Sequence, residues 1–552
     1  MRARLWMLLL EVTTFTVADF ASRDFSPRGI STPWLSQVET AVPPQNLRER
    51  FPTHNFETSI DHLHNETQYE PHTTEKFKLR YWFNKDYYKP GGPVIAVIGG
   101  EAPAINRLIY INSGAGGRLA KATNGITVLI EHRYYGESFP VKNLTNESLR
   151  FLSVPQALAD LSAFAKEIKF PGVDEDVTAP KTAWIAYGGS YSGALVTFLR
   201  KLYPDVWWGA ISSSGVPEAV LDYWQYNEAA RLYAPQDCVR IIQDVIQLVD
   251  NILLGNNTSL KEKLKTTFGF PASVDSQAFA ELFSGSLGGW QGRHWYPKEN
   301  SASVDTACAD IRKTEPTSSS LESKREAVEE LVRAEGSLKV DDDFITRLLN
   351  WMNKINKTVL LPCSLGGRSP ENCLSGPSSR GGREAATKTD IKQTWRSWSW
   401  QLCTQWGFFM TGDVTPNIRP IVTRLTDLEY SAKMCGTLFN RTLAQVDTAS
   451  INQWGGVNIS YPRLAHIDGE SDPWRWASPH APYAQKRNDT IDEPFIEIEG
   501  AGHHWDTIGL EPEEIGKITV PAPVVKAQAY TERFVKKWME DFVTQKHNSR
   551  FV

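Results

Sequence analysis

The stretch "AYGGSYSGA", residues 186–194, decides how this chain is read. Ser190 stands two places after Gly188, the spacing of a nucleophile elbow, in which a sharp strand-to-helix turn holds a serine with its hydroxyl exposed. That pattern has a second glycine two places after the serine. Here Ser192 takes the place, with Gly193 behind it. The turn needs a small side chain there, and serine is one. Ser192 is the poorer nucleophile candidate, because it falls in the helix start and no glycine lies two places before it.

The surroundings suit an elbow. "TAWIAYGG" (182–189) before the serine is an apolar run without alternation, the pattern of a strand buried on both faces. "GALVTFLRKLYP" (193–204) after it has helical spacing. Farther out, "PVIAVIGG" (93–100), "GITVLIEHR" (125–133) and "WWGAISSSG" (207–215) read as further buried strands. The amphipathic "VPQALADLSAFAKEIKF" (154–170) lies among them as a helix. Strands alternating with helices give an α/β class with a parallel sheet. From about residue 216 helical segments dominate. The strand pattern returns with "PRLAHIDGESDPW" (462–474) and "PFIEIEGAGHHWD" (494–506), and "VVKAQAYTERFVKKWMEDFV" (524–543) closes the chain as a helix. One α/β domain interrupted by a helical insertion is the simplest organisation.

A serine hydroxyl is a weak nucleophile until a base takes its proton, so a histidine oriented by a carboxylate is required. On an elbow scaffold these follow in the order Ser, acid, His. Asp472 in "GESDPW" lies just past a strand end, and Asp468 sits closer to the strand body. His503 and His504 follow the next strand directly, whereas His466 lies inside an apolar strand as a core residue. The developing oxyanion needs two pre-aimed N–H donors. By position these are the backbone of Tyr191 and that of Gly100 or Glu101, in the loop after "PVIAVIGG".

Bulk properties narrow the class. With 552 residues and a formal charge of -5, the chain offers no electrostatic footprint for nucleic acid. The start, "MRARLWMLLLEVTTFTVADF", has basic Arg2 and Arg4, an apolar run and small residues near Ala18, which reads as a signal peptide over residues 1–18. No later stretch is apolar for long enough to span a membrane. Glycosylation acceptors occur at Asn65, Asn143, Asn146, Asn256, Asn257, Asn356, Asn440, Asn458 and Asn488. The six cysteines form no C-x-x-C pair and have no histidine at metal spacing, so no metal and no cofactor is expected. Their even number suggests three disulfides, of open connectivity. A secreted or vacuolar/lysosomal protein is expected.

In order, "GGPVIAVIGGE", "IEHRYYGES", "GGSYSGAL", "DYWQY", "GESDPWR" and "GAGHHWD" resemble the prolylcarboxypeptidase and dipeptidyl-peptidase II type of serine peptidase, over roughly residues 56–540. Ser192 is similar to the fungal secreted, prolyl endopeptidase-like members. The resemblance implies an α/β-hydrolase domain (19–215 and 441–552) with a mainly helical, disulfide-containing cap inserted at 216–440. It implies cleavage after proline through an acyl-enzyme, with Ser190 as nucleophile, Asp472 as acid and His503, the first of the adjacent pair, as base. It also pairs Cys403 with Cys435, Cys238 with Cys308 and Cys363 with Cys373. A proline pocket should be small and aromatic-walled, with Trp474 and Phe408 as candidate walls. Carboxypeptidase, dipeptidyl-peptidase and endopeptidase modes all stay open, as does the oligomeric state, with a homodimer among the options. A secreted carboxylesterase or lipase on the same fold is the alternative.

Overall fold

The computed structural model describes residues 45–374 and 387–548; the expected signal peptide, 1–18, lies outside them. Strands β1 (His54–Ser59), β2 (Lys76–Asn84), β3 (Val94–Ile98), β4 (Ile126–Ile130), β5 (Trp184–Gly189), β6 (Gly209–Ser213), β9 (Leu464–Gly469) and β10 (Phe495–Ile498) form one sheet. Their order is β1-β2-β4-β3-β5-β6-β9-β10, parallel from β4 to β10 and antiparallel at the β1–β2 edge. The four apolar runs of the first half are β3, β4, β5 and β6. They lack alternation because both faces are covered. On β5, Trp184 and Ala186 join one core while Ile185 and Tyr187 join the core on the opposite face. Helices α2 (Val154–Glu167) and α3 (Tyr191–Leu202) pack on the first face. Helices α1 (Ala115–Thr123) and α6 (Ala522–Asn548) cover the second. This is the α/β-hydrolase architecture, with the β5–α3 turn at its centre.

The "IEHRYYGES" block builds the scaffold beside that turn. Glu131 lies at the end of β4 and accepts both prongs of the Arg80 guanidinium at 2.7 and 2.8 Å. It also accepts the Ser138 hydroxyl at 2.7 Å and the Ala104 N–H at 3.1 Å, which ties down the loop after β3. Gly136 is required here: a Cβ on it would come within 2.0 Å of the Glu131 carboxylate, and its φ is +59°. Arg133, fully buried, makes a second two-pronged pair with Asp160 of α2 at 2.5 and 2.8 Å. Charges this deep are tolerable because every prong is matched.

The segment between β6 and β9 has a core of its own. Helices α4 (Gln236–Leu254) and α5 (Asp342–Ile355) contribute Ile242, Val245, Val249, Leu348 and Leu349 to it, with Phe279 and Phe283. Trp398 to Phe409 and Ala432 to Ile459 instead bury apolar side chains in the core beneath the main sheet, while Ile421 and Leu425 between them join the insertion's core. A short parallel pair joins the two regions, β7 (Val220–Asp222) with β8 (Gly407–Phe409). Disulfides link Cys238–Cys308, Cys363–Cys373 and Cys403–Cys435, with Cα atoms 5.4–5.5 Å apart. All nine acceptor asparagines are exposed. Among the described residues no helix is long and apolar enough to cross a membrane.

Candidate active site

Ser190 sits between β5 and α3 with φ +58° and ψ −128°, a conformation L-residues rarely adopt. Its neighbours explain how the turn is held. A Cβ on Gly188 would meet the Ser192 carbonyl at 2.2 Å, and one on Gly193 would meet Gly215 at 2.6 Å. The second glycine of the elbow is therefore needed one place later than the pattern puts it. Ser192 closes the turn from inside: its hydroxyl donates to the Gly189 carbonyl at 2.8 Å and accepts the Gly189 N–H at 3.1 Å.

Asp472 lies in the loop after β9, and His503 in the loop after β10. His503 Nδ1 is 2.9 and 3.0 Å from the two Asp472 oxygens, and both residues are buried. The Trp474 N–H fixes the carboxylate from its other side at 2.9 Å. His503 Nε2 makes no hydrogen bond with the protein, and none joins it to Ser190 Oγ. The neighbours of these two residues are in contact: the His504 ring lies 3.6 Å from where a Gly189 Cβ would be, and the His504 N–H donates to Ser214 Oγ at 2.8 Å. Downstream, Asp506 anchors the histidine loop to the sheet by accepting Tyr187 at 2.5 Å and Ser213 at 2.6 Å.

The two adjacent histidines are thus distinct. His503 meets the carboxylate, while His504 faces β5 and is held well below the usual imidazole range by burial and by its His503 neighbour. His294 approaches from the insertion and is pulled down to about 3, again by burial first and His503 second. Both stay neutral in mildly acidic solution.

The loop after β3 brings Gly100 and Glu101 to the same end of the sheet. A Cβ on Gly100 would lie 3.6 Å from the Ser192 side chain. The first N–H groups of α3, starting at Tyr191, have no helical acceptor and face this end. Glu101 is fully buried, and burial pushes its carboxyl up, against the opposing pull of Arg107, its own N–H and His503.

Trp474 and Phe408 are brought into one aromatic cluster, 5.0 Å apart edge to face. Sequence reasoning missed the rest of that cluster. Tyr223 stacks on Trp474 at 5.3 Å, and Tyr226 meets it edge-on at 5.4 Å. Trp406 stacks on Phe408 at 5.7 Å. The i, i+3 spacing of the two tyrosines in "DYWQY", which puts them on one side of a turn, was the available signal. Phe408 has φ +55° and follows the irregular turn Leu402–Trp406, in which Cys403 is bridged to Cys435 of the helix Leu428–Phe439.

A second omission is the segment 290–296 of the insertion, which fastens both loops. Trp290 Nε1 donates to the Ser471 carbonyl at 2.8 Å, and Gln291 accepts the Trp474 indole at 2.8 Å. Trp295 Nε1 donates to the Trp505 carbonyl at 2.8 Å, and Trp505 returns a bond to the Arg293 carbonyl at 2.9 Å. No local pattern announces these contacts.

Known proteins resemble this chain over most of its length. A "Probable extracellular serine carboxypeptidase" of Arthroderma benhamiae is 43% identical over 510 residues, which is 92% of this chain and 70% of that protein. "Serine protease vicPb" of Bipolaris victoriae is 30% identical over 495 residues, 87% of this chain and 88% of its own length. The "Thymus-specific serine protease" of Mus musculus is 24% identical, covering 84% of each chain. With the model of the serine carboxypeptidase S28 family matching residues 64–522 around the elbow, the acid loop and the histidine loop, the chain belongs to that family and is a serine-type peptidase.

Proposed function

We propose that the protein is a secreted peptidase that cuts after proline, through an acyl-enzyme on Ser190, and removes residues from the carboxyl end of its substrates. The observation that carries the reading is the His503–Asp472 contact, with His503 Nδ1 against both carboxylate oxygens. That contact fixes the tautomer: Nδ1 carries the proton and Nε2 is left as the base. Ser190 Oγ attacks the scissile carbonyl while His503 Nε2 takes its proton, and Asp472 stabilises the imidazolium. The N–H groups of Tyr191 and Gly100 receive the oxyanion. Collapse of the tetrahedral species passes the proton from His503 to the departing amine, and water then releases the acyl group by the same route.

Proline lacks the N–H by which other residues could be recognised, so shape and aromatic contact must select it. Trp474, Phe408, Tyr223 and Tyr226 beside Asp472 supply such a wall. Exposed acceptor asparagines, three disulfides and the extracellular naming of the Arthroderma relative support the secretory route. The test uses four peptides, with proline or alanine second from the end and with a free or amidated carboxyl terminus. Release of the last residue from the free proline peptide alone is the expected result. Equal cleavage of the alanine peptides would remove the proline preference, and cleavage of the amidated ones would remove the carboxypeptidase mode.

A further inference from the structure

Away from the triad, on the loop that leaves β1, Asp61, His64 and His72 bring one carboxylate oxygen and two imidazole nitrogens within 4.8 Å of one another. We propose that these three side chains form a binding site for a borderline transition-metal ion of the Zn²⁺ class. The donor set selects the class. Two imidazoles and a carboxylate suit Zn²⁺, Cu²⁺ or Ni²⁺, whereas Ca²⁺ and Mg²⁺ want oxygen alone. The expectation of no metal rested on cysteine pairs and on histidine spacing along the chain, and the grouping here arises only when the loop folds back.

The site is built from the inside outward. Asp61 is buried, and its Oδ1 is fixed by the Gln156 amide at 2.7 Å and the Leu63 N–H at 2.9 Å. That leaves Oδ2 for a ligand, and it now holds His72 Nδ1 at 2.7 Å. The return of the loop is clamped as well: Tyr69 is buried with its hydroxyl on Ser153, and Arg150 donates to the carbonyls of Tyr69 and Pro71. His72 is 24% exposed and His64 is exposed, their rings 5.4 Å apart. An ion can therefore enter from solvent along His64. Tetrahedral Zn²⁺ with bonds of about 2.0–2.1 Å needs its donors about 3.3 Å apart. The Asp61–His72 pair must open slightly as the shared proton leaves, while the exposed His64 ring closes in. Water would occupy the fourth position. Such an ion pins this loop to α2, since Gln156 is on that helix and His62 bonds Asp160 of the same helix at 2.8 Å.

The test is calorimetric titration of the intact, chelator-washed protein with Zn²⁺, with thermal unfolding followed in parallel. The expected result is one ion bound per chain and a Tm raised by the metal, with affinity weakened at least about tenfold in His64→Ala and again in His72→Ala. His64→Ala carries the decision, because an exposed side chain can be removed without unsettling the fold. Absence of stoichiometric binding, or wild-type affinity in His64→Ala, would overturn the proposal and leave Asp61–His72 as a plain hydrogen-bonded pair.

Discussion

Trp290 donates its indole N–H to the carbonyl of Ser471, one residue before Asp472, at 2.8 Å, although 181 residues separate them in the chain. The acid loop is thus positioned by the insertion as well as by the sheet. Trp290→Phe keeps the ring and removes the donor. The neutral bond itself is worth about 1 kcal/mol. A fall in kcat of several-fold at unchanged fluorophosphonate-accessible fold is expected, with a Tm lower by a few degrees. Steady-state kinetics beside a thermal melt decides the matter: a lower Tm at wild-type kcat would make Trp290 a packing residue only.

The proposed mechanism gives Ser190 and Ser192 separate roles. Ser190→Ala should abolish labelling by a fluorophosphonate and lower kcat by about 10⁴-fold or more. Ser192→Ala should still be labelled, since its hydroxyl serves the turn. Losing the two bonds to Gly189 should cost about 1–2 kcal/mol, read as a shift in the denaturation midpoint. Labelling that survives Ser190→Ala would displace the nucleophile.

Glu101 gives a pH signature with a definite sign. Burial raises its pKa in the folded state, whereas the unfolded chain ionises near the ordinary value of about 4.5. Below that value both states are protonated and no penalty exists. As pH rises, the unfolded state sheds a proton that the folded state keeps, and stability falls until the folded pKa is passed. Glu101→Gln should therefore be more stable than wild type at pH 7 and equal to it near pH 4. His294 and His132, lowered by burial to about 3 and about 4, act the other way. The unfolded chain binds their protons below pH ~6.5 and the folded one does not, so stability is lost as pH falls toward 4. Denaturant midpoints from pH 4 to 8 measure both slopes.

Trp474→Leu should test the aromatic wall without touching the triad chemistry. Its indole is stacked on Tyr223 and bonded to Gln291, so the loss falls on substrate contact and local packing. A drop in kcat/KM of at least about tenfold on a proline peptide is expected, worth about 1.4 kcal/mol, with fluorophosphonate labelling retained. An unchanged ratio of proline to alanine turnover would place proline selection elsewhere.

What could be read from the chain follows a physical divide. β3 to β6, α2 and α3 were legible because full burial on two faces, or on one helical stripe, leaves its period in consecutive residues. Asp472 and the pair His503–His504 stood out because strand ends deliver active-site loops in a fixed chain order, and the family resemblance chose His503 within the pair. The β1–β2 edge escaped notice: β1, "HNFETS", is polar and half-exposed, with little apolar signal of its own. Trp290, Gln291 and Trp295 escaped for another reason. Their partners lie about two hundred positions away, and a contact at that range imposes no periodicity on either segment. The Asp61–His72 grouping likewise depends on a loop that doubles back.

The bridge between Cys403 and Cys435 has a consequence for how the enzyme tolerates reduction. It braces the irregular turn that presents Trp406 and Phe408, and both of its half-cystines lie in the same apolar core as Ala186 and Tyr191, on either side of Ser190. The aromatic cluster and the elbow therefore share one packed interior, and opening the bridge should loosen both together. A reducing solution should accordingly cost the protein order at its centre and not at its rim alone.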